Sequence, residues 1–240
     1  MAQTANNQNP EFLGIAEDGK KIFRWKAILK ISGIILALIL ILALLLYWAT
    51  DIALNSKSFP ITLVLPDGEG ASGVRISLSE DAEGKAPTTH LKATIIDEMW
   101  DMSSFDVPAD VDSGEGCHNG TDYIAYTFYL RNASGLDGRI EEKMEILAAT
   151  KGAEEAVRVR VYRDGVAETY AKAAKSGEPE YGTLPFSAED RVYDITSPIS
   201  GGQVTRYTIV IWLEGDDPEC VDDVRGGMVR IAVKFSVLDS

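Results

Sequence analysis

Val157-Arg158-Val159-Arg160-Val161-Tyr162-Arg163-Asp164-Gly165-Val166 is the stretch that decides the fold class. Valine alternates with a long polar side chain at a period of two, which puts the apolar set on one face of a β-strand. Asp164-Gly165 then supplies two residues that accept positive φ, as a type I′ turn requires. The stretch predicts a hairpin, with Val166 to Ala173 pairing back on Val157 to Tyr162. A short helix over Ala167–Lys175 is the rival, on its alanine and lysine content; the Asp-Gly signal favours the hairpin.

The same period recurs on both sides. Ile61, Leu63 and Leu65 alternate, as do Val74, Ile76 and Leu78, then Leu91, Ala93 and Ile95. Ile124, Tyr126, Phe128 and Leu130 share a face opposite Tyr123, Thr127, Tyr129 and Arg131. Ile140, Met144 and Ile146 lie opposite Glu141, Lys143 and Glu145, with Glu142 interrupting the apolar set. Tyr207, Ile209, Ile211 and Leu213 form one further face, and Val229, Ile231, Val233, Phe235 and Val237 another. Such strands put one face on a core and one in water. At least eight of them predict a mainly β domain over 59–240, a β-sandwich or jelly roll. The stretch 97–119 lacks alternation; its Met99, Trp100, Met102 and Phe105 are predicted to cover one open end of the sandwich.

Towards the N-terminus the pattern changes. Ile31 to Trp48 is eighteen residues without a charge. Such a run is close to the length that spans a bilayer's hydrocarbon core. Residues 27–50 are therefore predicted to be a transmembrane helix, with a 1–26 tail before it and a 51–58 stalk after it. Lys20, Lys21, Arg24, Lys26 and Lys30 precede the run, whereas Asp51 and Lys57 follow it, so the positive-inside rule puts the N-terminus in the cytoplasm. Lys26, Lys30, Tyr47 and Trp48 are the expected interface anchors. The run exceeds the usual length of a signal-peptide core and no A-x-A-like site follows, which favours an uncleaved signal anchor.

The charge divides at this helix. Residues 1–30 carry five basic and three acidic groups, and the remainder 18 and 34, giving −14 for the 240-residue chain. So acidic a domain argues against nucleic acid as a partner and against docking flat on anionic lipid. Cys117 and Cys220 both follow the helix, on the side that is oxidising for secreted proteins, and are expected to pair. Each lies near the facing ends of two strands that would be antiparallel neighbours.

Asp216, Asp217, Glu219, Asp222 and Asp223 fall within eight positions, a density of hard oxygen ligands that suits Ca²⁺. The spacing is not that of an EF-hand, and a solvated acidic loop is the weightier reading. Asp110, Asp112 and Glu115 form a second, sparser set. Catalysis finds little: the histidines are His90 and His118, with no H-E-x-x-H, C-x-x-C, G-x-S-x-G or phosphate loop. Cys117 and His118 are adjacent, which on extended backbone points them apart. Asn119-Gly120-Thr121 and Asn132-Ala133-Ser134 are glycosylation sequons for a chain that meets such a pathway.

Tyr126-Thr127-Phe128-Tyr129-Leu130-Arg131-Asn132, the Val159–Gly165 hairpin, and Ile211-Trp212-Leu213-Glu214-Gly215-Asp216-Asp217-Pro218-Glu219-Cys220 followed by Gly226-Gly227 carry a resemblance. Over residues 121–238 the chain resembles the TasA/camelysin-like surface and matrix proteins of Gram-positive bacteria. The resemblance implies a jelly-roll sandwich, a cell-envelope location and a structural or matrix role; some members assemble into fibres by donating an N-terminal strand. The cytoplasmic tail and the missing cleavage site depart from the fibre-formers, which are released. Members described as metalloproteases have no counterpart here in a zinc-ligand constellation, so no catalytic residue is carried over. The expectation is a non-enzymatic, membrane-anchored surface protein with a protein or envelope partner. A fibre subunit and an envelope hydrolase are the alternatives.

Overall fold

The computed structural model describes residues 30–47, 58–64, 73–96 and 99–238. Two compact units divide at Asn55/Ser56. The first holds one described helix, α1 (Lys30–Tyr47), long and apolar enough to cross a membrane; a signal sequence near an N-terminus meets the same criteria. Every residue of α1 is exposed, whereas a helix that is apolar all round belongs inside a core or a bilayer. Lys30 and Tyr47 stand at its ends; Lys26 and Trp48 lie outside the described residues.

The second unit is a β-sandwich. Numbered along the chain, one sheet has the order β11 (Arg191–Ile199), β7 (Gly138–Thr150), β13 (Met228–Leu238), β1 (Ser58–Val64), β3 (His90–Thr94). The other runs β10 (Leu184–Pro185), β9 (Val166–Ala171), β8 (Val157–Arg163), β12 (Val204–Glu214), β6 (Tyr123–Asn132), β2 (Ile76–Ser79). The short β4 (Asp101–Met102) joins β12, and β5 (Gly116–Cys117) joins β6. A single turn, α2 (Ala153–Ala156), leads into β8. Most neighbours are antiparallel, but β1 runs parallel to β13.

The inner faces meet in one core that includes Ile61, Leu91, Met144, Val233 and Phe235 of the first sheet and Phe128, Val159, Tyr207 and Ile209 of the second. Phe128 stacks on Tyr207 at 5.2 Å between centroids, and both meet Phe235 edge-on. The hairpin forms as expected: Arg163 pairs with Val166, and Asp164 and Gly165 take φ of 51° and 82°. The helix rival over 167–175 is not adopted.

Two expectations are corrected. The outer face of the larger sheet is not in water: Thr127 and Tyr129 are buried. Segment 99–119 lies across that face, and its Val107 and Val111 pack with Ala125, Val210 and Trp212. Within the segment Met102 packs there too, but Trp100 is 61 % and Phe105 86 % exposed, so the valines and not the aromatics do the covering. β11 has no counterpart among the predicted strands. Its alternation is broken by a bulge between Arg191 and Tyr193, and Pro198, which cannot donate to a ladder, is tolerated because β11 is an edge strand.

Candidate functional site

The first strand sets a direction. Ser58, where β1 begins, pairs with Thr94, where β3 ends, and β13 starts beside the end of β7. This proximal end also gathers the starts of β6 and β8 and the end of β12, because Trp212 pairs with Tyr123 and Leu213 with Val157. There the sheets part around a cavity of about 720 Å³. Its walls combine polar surface with apolar side chains: Ile95 and Ile96 beyond β3, Ile124, Ile211, Leu213, and Val229 and Ile231 of β13. Trp100, Val221 and Met228 stand exposed around it, and Asp101, Asp222, Arg225 and Arg230 add charges of both signs. Gly226-Gly227 belong to this wall. Gly226 has φ 68°, and a Cβ on Gly227 would come within 2.7 Å of the Val224 carbonyl oxygen and 2.9 Å of the Thr150 one.

The carboxylates predicted as a Ca²⁺ set lie beside this end but do not converge as a group. Asp216 accepts from Ser103 Oγ at 2.8 Å, and Asp222 pairs with Arg225 at 3.3 Å. Asp223 is exposed. Asp217 and Glu219 do come together, with Glu180 as their third member, their ligand oxygens within 4.8 Å of one another. Arg158, itself buried on the outer face of β8, pairs with Asp217 and lies 3.8 Å from Glu180. That guanidinium already supplies positive charge among the three. Burial and the Asp217 charge hold Glu180 above the usual carboxylate range. Of the second acidic set, Glu115 accepts from Tyr129 Oη at 2.6 Å.

The expected disulfide is corrected as well: both cysteines are free. β6 and β12 are antiparallel neighbours, as the pairing required. Yet Cys117 belongs to β5, which flanks β6 on the side away from β12. Cys220 follows a loop whose Asp217 is tied to Arg158 of β8, on the other side of β12. Cys117 Sγ lies against the Thr94 carbonyl, whereas Cys220 sits among Asp101, Asp217 and Glu214, so the two thiols have different neighbours. Burial, with Asp101, Asp217 and Glu214 nearby, pushes the Cys220 thiol up, which keeps it protonated. Cys117 Sγ points at the Thr94 carbonyl, whereas both ring nitrogens of His118 face the Gly116 and Val111 carbonyls at 2.9 Å, so the neighbours point apart. His90 is exposed, beside Thr89 Oγ1. Asn132 is fully buried, its amide donating to the Leu136 and Ser200 carbonyls, which makes it a turn clasp. Asn119 bridges the Thr94 carbonyl and the Ala125 amide.

Away from the cavity the sheets are joined by a polar clasp. Glu142, 1 % exposed, occupies the apolar face of β7 between Ile140 and Met144. Its Oε1 accepts from Arg163 Nη2 at 3.0 Å and from Tyr193 Oη; its Oε2 accepts from Arg163 Nε and Tyr207 Oη, both at 3.1 Å. Arg163 Nη1 reaches Glu168 at 2.9 Å, which also accepts from Tyr170 Oη at 2.7 Å. Burial, then the Glu142 charge, raises Tyr193 and Tyr207 well above the ordinary phenol range, and burial pushes Tyr170 up to about 12. This arrangement holds two sheets together and offers no open substrate position.

Sequence reasoning missed Glu180 and the cavity. Glu180 lies far along the chain from the acidic loop, and the cavity is built from the ends of many elements. Glu142 carried a signal, a carboxylate within an apolar alternation. No protein-family model and no curated protein sequence matches the chain. Among solved structures, the β-glucosidase of Kluyveromyces marxianus in complex with glucose aligns at 10 % identity and TM-score 0.21, over 66 % of this chain and 15 % of that one. A selenomethionine-labelled form of the enzyme aligns at 11 % and 0.23, over 66 % and 16 %.

Proposed function

We propose that the chain is a membrane-anchored, non-enzymatic surface protein whose acidic sandwich is held outside the cell by α1 and makes contacts there. The observation that carries this reading is α1 itself, an 18-residue apolar helix exposed on every side ahead of a folded domain. Four basic residues before it, Lys30 at its first position and a sparse cationic flank after it favour a cytoplasmic N-terminus. The resemblance to TasA/camelysin-like envelope proteins favours the same location and a structural role. A non-enzymatic reading fits Cys117 and His118 pointing to different carbonyls and Cys220 being held as a thiol. It calls on no cofactor, the Asp217 cluster already holding a cation in the Arg158 guanidinium.

Alkaline carbonate washing of membranes from cells expressing the full chain tests the anchor. The chain is expected in the pellet at full length. A soluble chain, or one shortened by loss of its first 50 or so residues, would contradict it. One observation favours a fibre subunit as the second reading: β1, the first strand of the sandwich, fills an interior slot between β13 and β3, a position a strand from another copy could also fill. Light scattering of the detergent-solubilised chain separates the two, monomers supporting the anchored domain and growing filaments the fibre.

A further inference from the structure

We propose that His118 is a protonation-dependent latch. With its ring charged it holds the stretch 106–113 of the covering segment against the outer face of the larger sheet, and it loosens that stretch when the ring loses its proton. Three observations carry it. The first is valence. Nδ1 lies 2.9 Å from the Gly116 carbonyl oxygen and Nε2 2.9 Å from the Val111 one. A carbonyl oxygen only accepts, and a neutral imidazole has a single N–H to donate. Both contacts are hydrogen bonds only in the imidazolium. In the neutral ring one nitrogen turns a lone pair towards a carbonyl oxygen, and that bond is lost.

The second is what the bonds join. The His118 backbone is fixed to the sandwich, its N–H donating to the Ala125 carbonyl of β6 at 3.0 Å. Its side chain reaches back to the Val111 carbonyl, and the Val111 side chain is buried against Ala125, Val210 and Trp212. The ring therefore ties the cover to the strand beneath it, and Trp212 is fully buried under that cover. The third is the ring's seat. A Cβ on Gly114 would fall 2.3 Å from His118 Cδ2 and 2.7 Å from Nε2, so the ring fills the space of a side chain at Gly114.

The other ionisable groups here come from four elements. Asp110, Asp112 and Glu115 belong to the same loop, and Asp112 lies beside Gly165 of the hairpin turn. Arg206 of β12 donates to the Gly114 carbonyl at 2.6 Å and lies 3.8 Å from Glu115, which accepts from Tyr129 of β6. Asp164 of the hairpin turn accepts from the Arg206 amide at 2.8 Å, and Cys117 Sγ faces the Thr94 carbonyl. The two ring nitrogens are left to the two carbonyls. The charged ring makes both bonds and the neutral ring one, so the latch is complete at low pH. It weakens as pH rises through the range in which imidazoles release their proton, about pH 5 to 8.

The test is hydrogen–deuterium exchange of the detergent-solubilised full chain at about pH 5.5 and about pH 8, labelling times being scaled to the intrinsic amide rates across the imidazole range. Amides of 106–113 are expected to exchange about tenfold faster at the higher pH, the scale of one charge-assisted hydrogen bond, with β7 and β13 unchanged. His90→Gln leaves His118 as the one histidine of the chain and should keep the step. His118→Gln should show the faster rate at both pH values. So should Gly114→Ala, which keeps the histidine, takes its seat, and stands at a φ of −68° that admits alanine. A wild-type chain without the step, a step lost in His90→Gln or surviving in His118→Gln or Gly114→Ala, or an equal rise in β7 and β13 would overturn the latch.

Discussion

In one half of the sandwich the sheets are tied by Glu142 and Arg163, each oxygen of the carboxylate accepting two hydrogen bonds between β7 and β8, β11 and β12. At the proximal end the same two sheets part around a space of about 720 Å³. The difference lies in what occupies the inward positions. Where a carboxylate faces inward, burial is tolerated only with matched partners, and those partners pin one arrangement of the sheets. Where isoleucine and valine face inward at the strand ends, no such carboxylate–guanidinium clasp joins the two sheets among the described residues. The clasped half is built to stay, whereas the open end has room to accept something.

The largest effect that would break this contrast comes from the clasp. Arg163→Leu leaves the Glu142 carboxylate buried without its cation and should cost about 3–5 kcal/mol in chemical denaturation. Glu142→Leu combined with Arg163→Leu should cost less than the sum of the single changes, because neither charge is then stranded. An Arg163→Leu loss under about 1 kcal/mol would mean that the clasp does not tie the sheets.

Packing gives the next comparison. Phe128→Ala removes a ring that touches Tyr207 and Phe235 in the closed core and should cost about 3–5 kcal/mol. Leu213→Ala, on the half-buried cavity wall, should cost only about 1 kcal/mol, since its side chain is already partly unpacked. Equal losses would show the cavity to be as tightly closed as the core.

Alkaline titration sharpens the contrast further. Tyr193, Tyr207 and Tyr170 bind their protons more tightly when folded than the ordinary value of 10.0, chiefly through burial. Their contribution is constant below about pH 10 and is lost as pH rises above it, by up to about 1.4 kcal/mol per tyrosine per pH unit. For Tyr170 that window closes near 12. The part of the phenolate absorbance that Phe replacements at Tyr193, Tyr207 and Tyr170 remove should rise together with loss of near-ultraviolet circular dichroism; its rise well before unfolding would contradict the clasp. The smallest effect is at the hairpin, where Gly165→Ala at φ 82° should cost about 1 kcal/mol.

Much of the fold was legible because half-buried strands advertise themselves. The valines of β8 and the Asp164-Gly165 turn gave a hairpin directly, and the alternation of β6, β12 and β13 gave the inner faces. What sequence could not convey is what lies across an outer face. Thr127 and Tyr129 read as solvent-facing because their cover, Val107 and Val111, comes from a segment without periodicity. β11 was hidden by its bulge and by Pro198. The site was less legible than the fold. Of five carboxylates close in sequence, Asp217 and Glu219 stayed together and Asp216, Asp222 and Asp223 parted from them, and Asp217 was claimed by Arg158, a residue that reads simply as the polar face of a strand. The cysteine argument identified the right pair of neighbouring strands, but Cys117 turns to the Thr94 carbonyl while Cys220 lies among Asp101, Asp217 and Glu214.

The account stands on the sandwich being held outside the membrane by α1, and Cys117 reports on it directly because it is exposed and free. Intact cells expressing the full chain would be treated with a membrane-impermeant maleimide, with lysed cells as reference. The account predicts labelling of Cys117 on intact cells to the extent seen after lysis. Labelling that appears only after lysis would place the sandwich inside and contradict it.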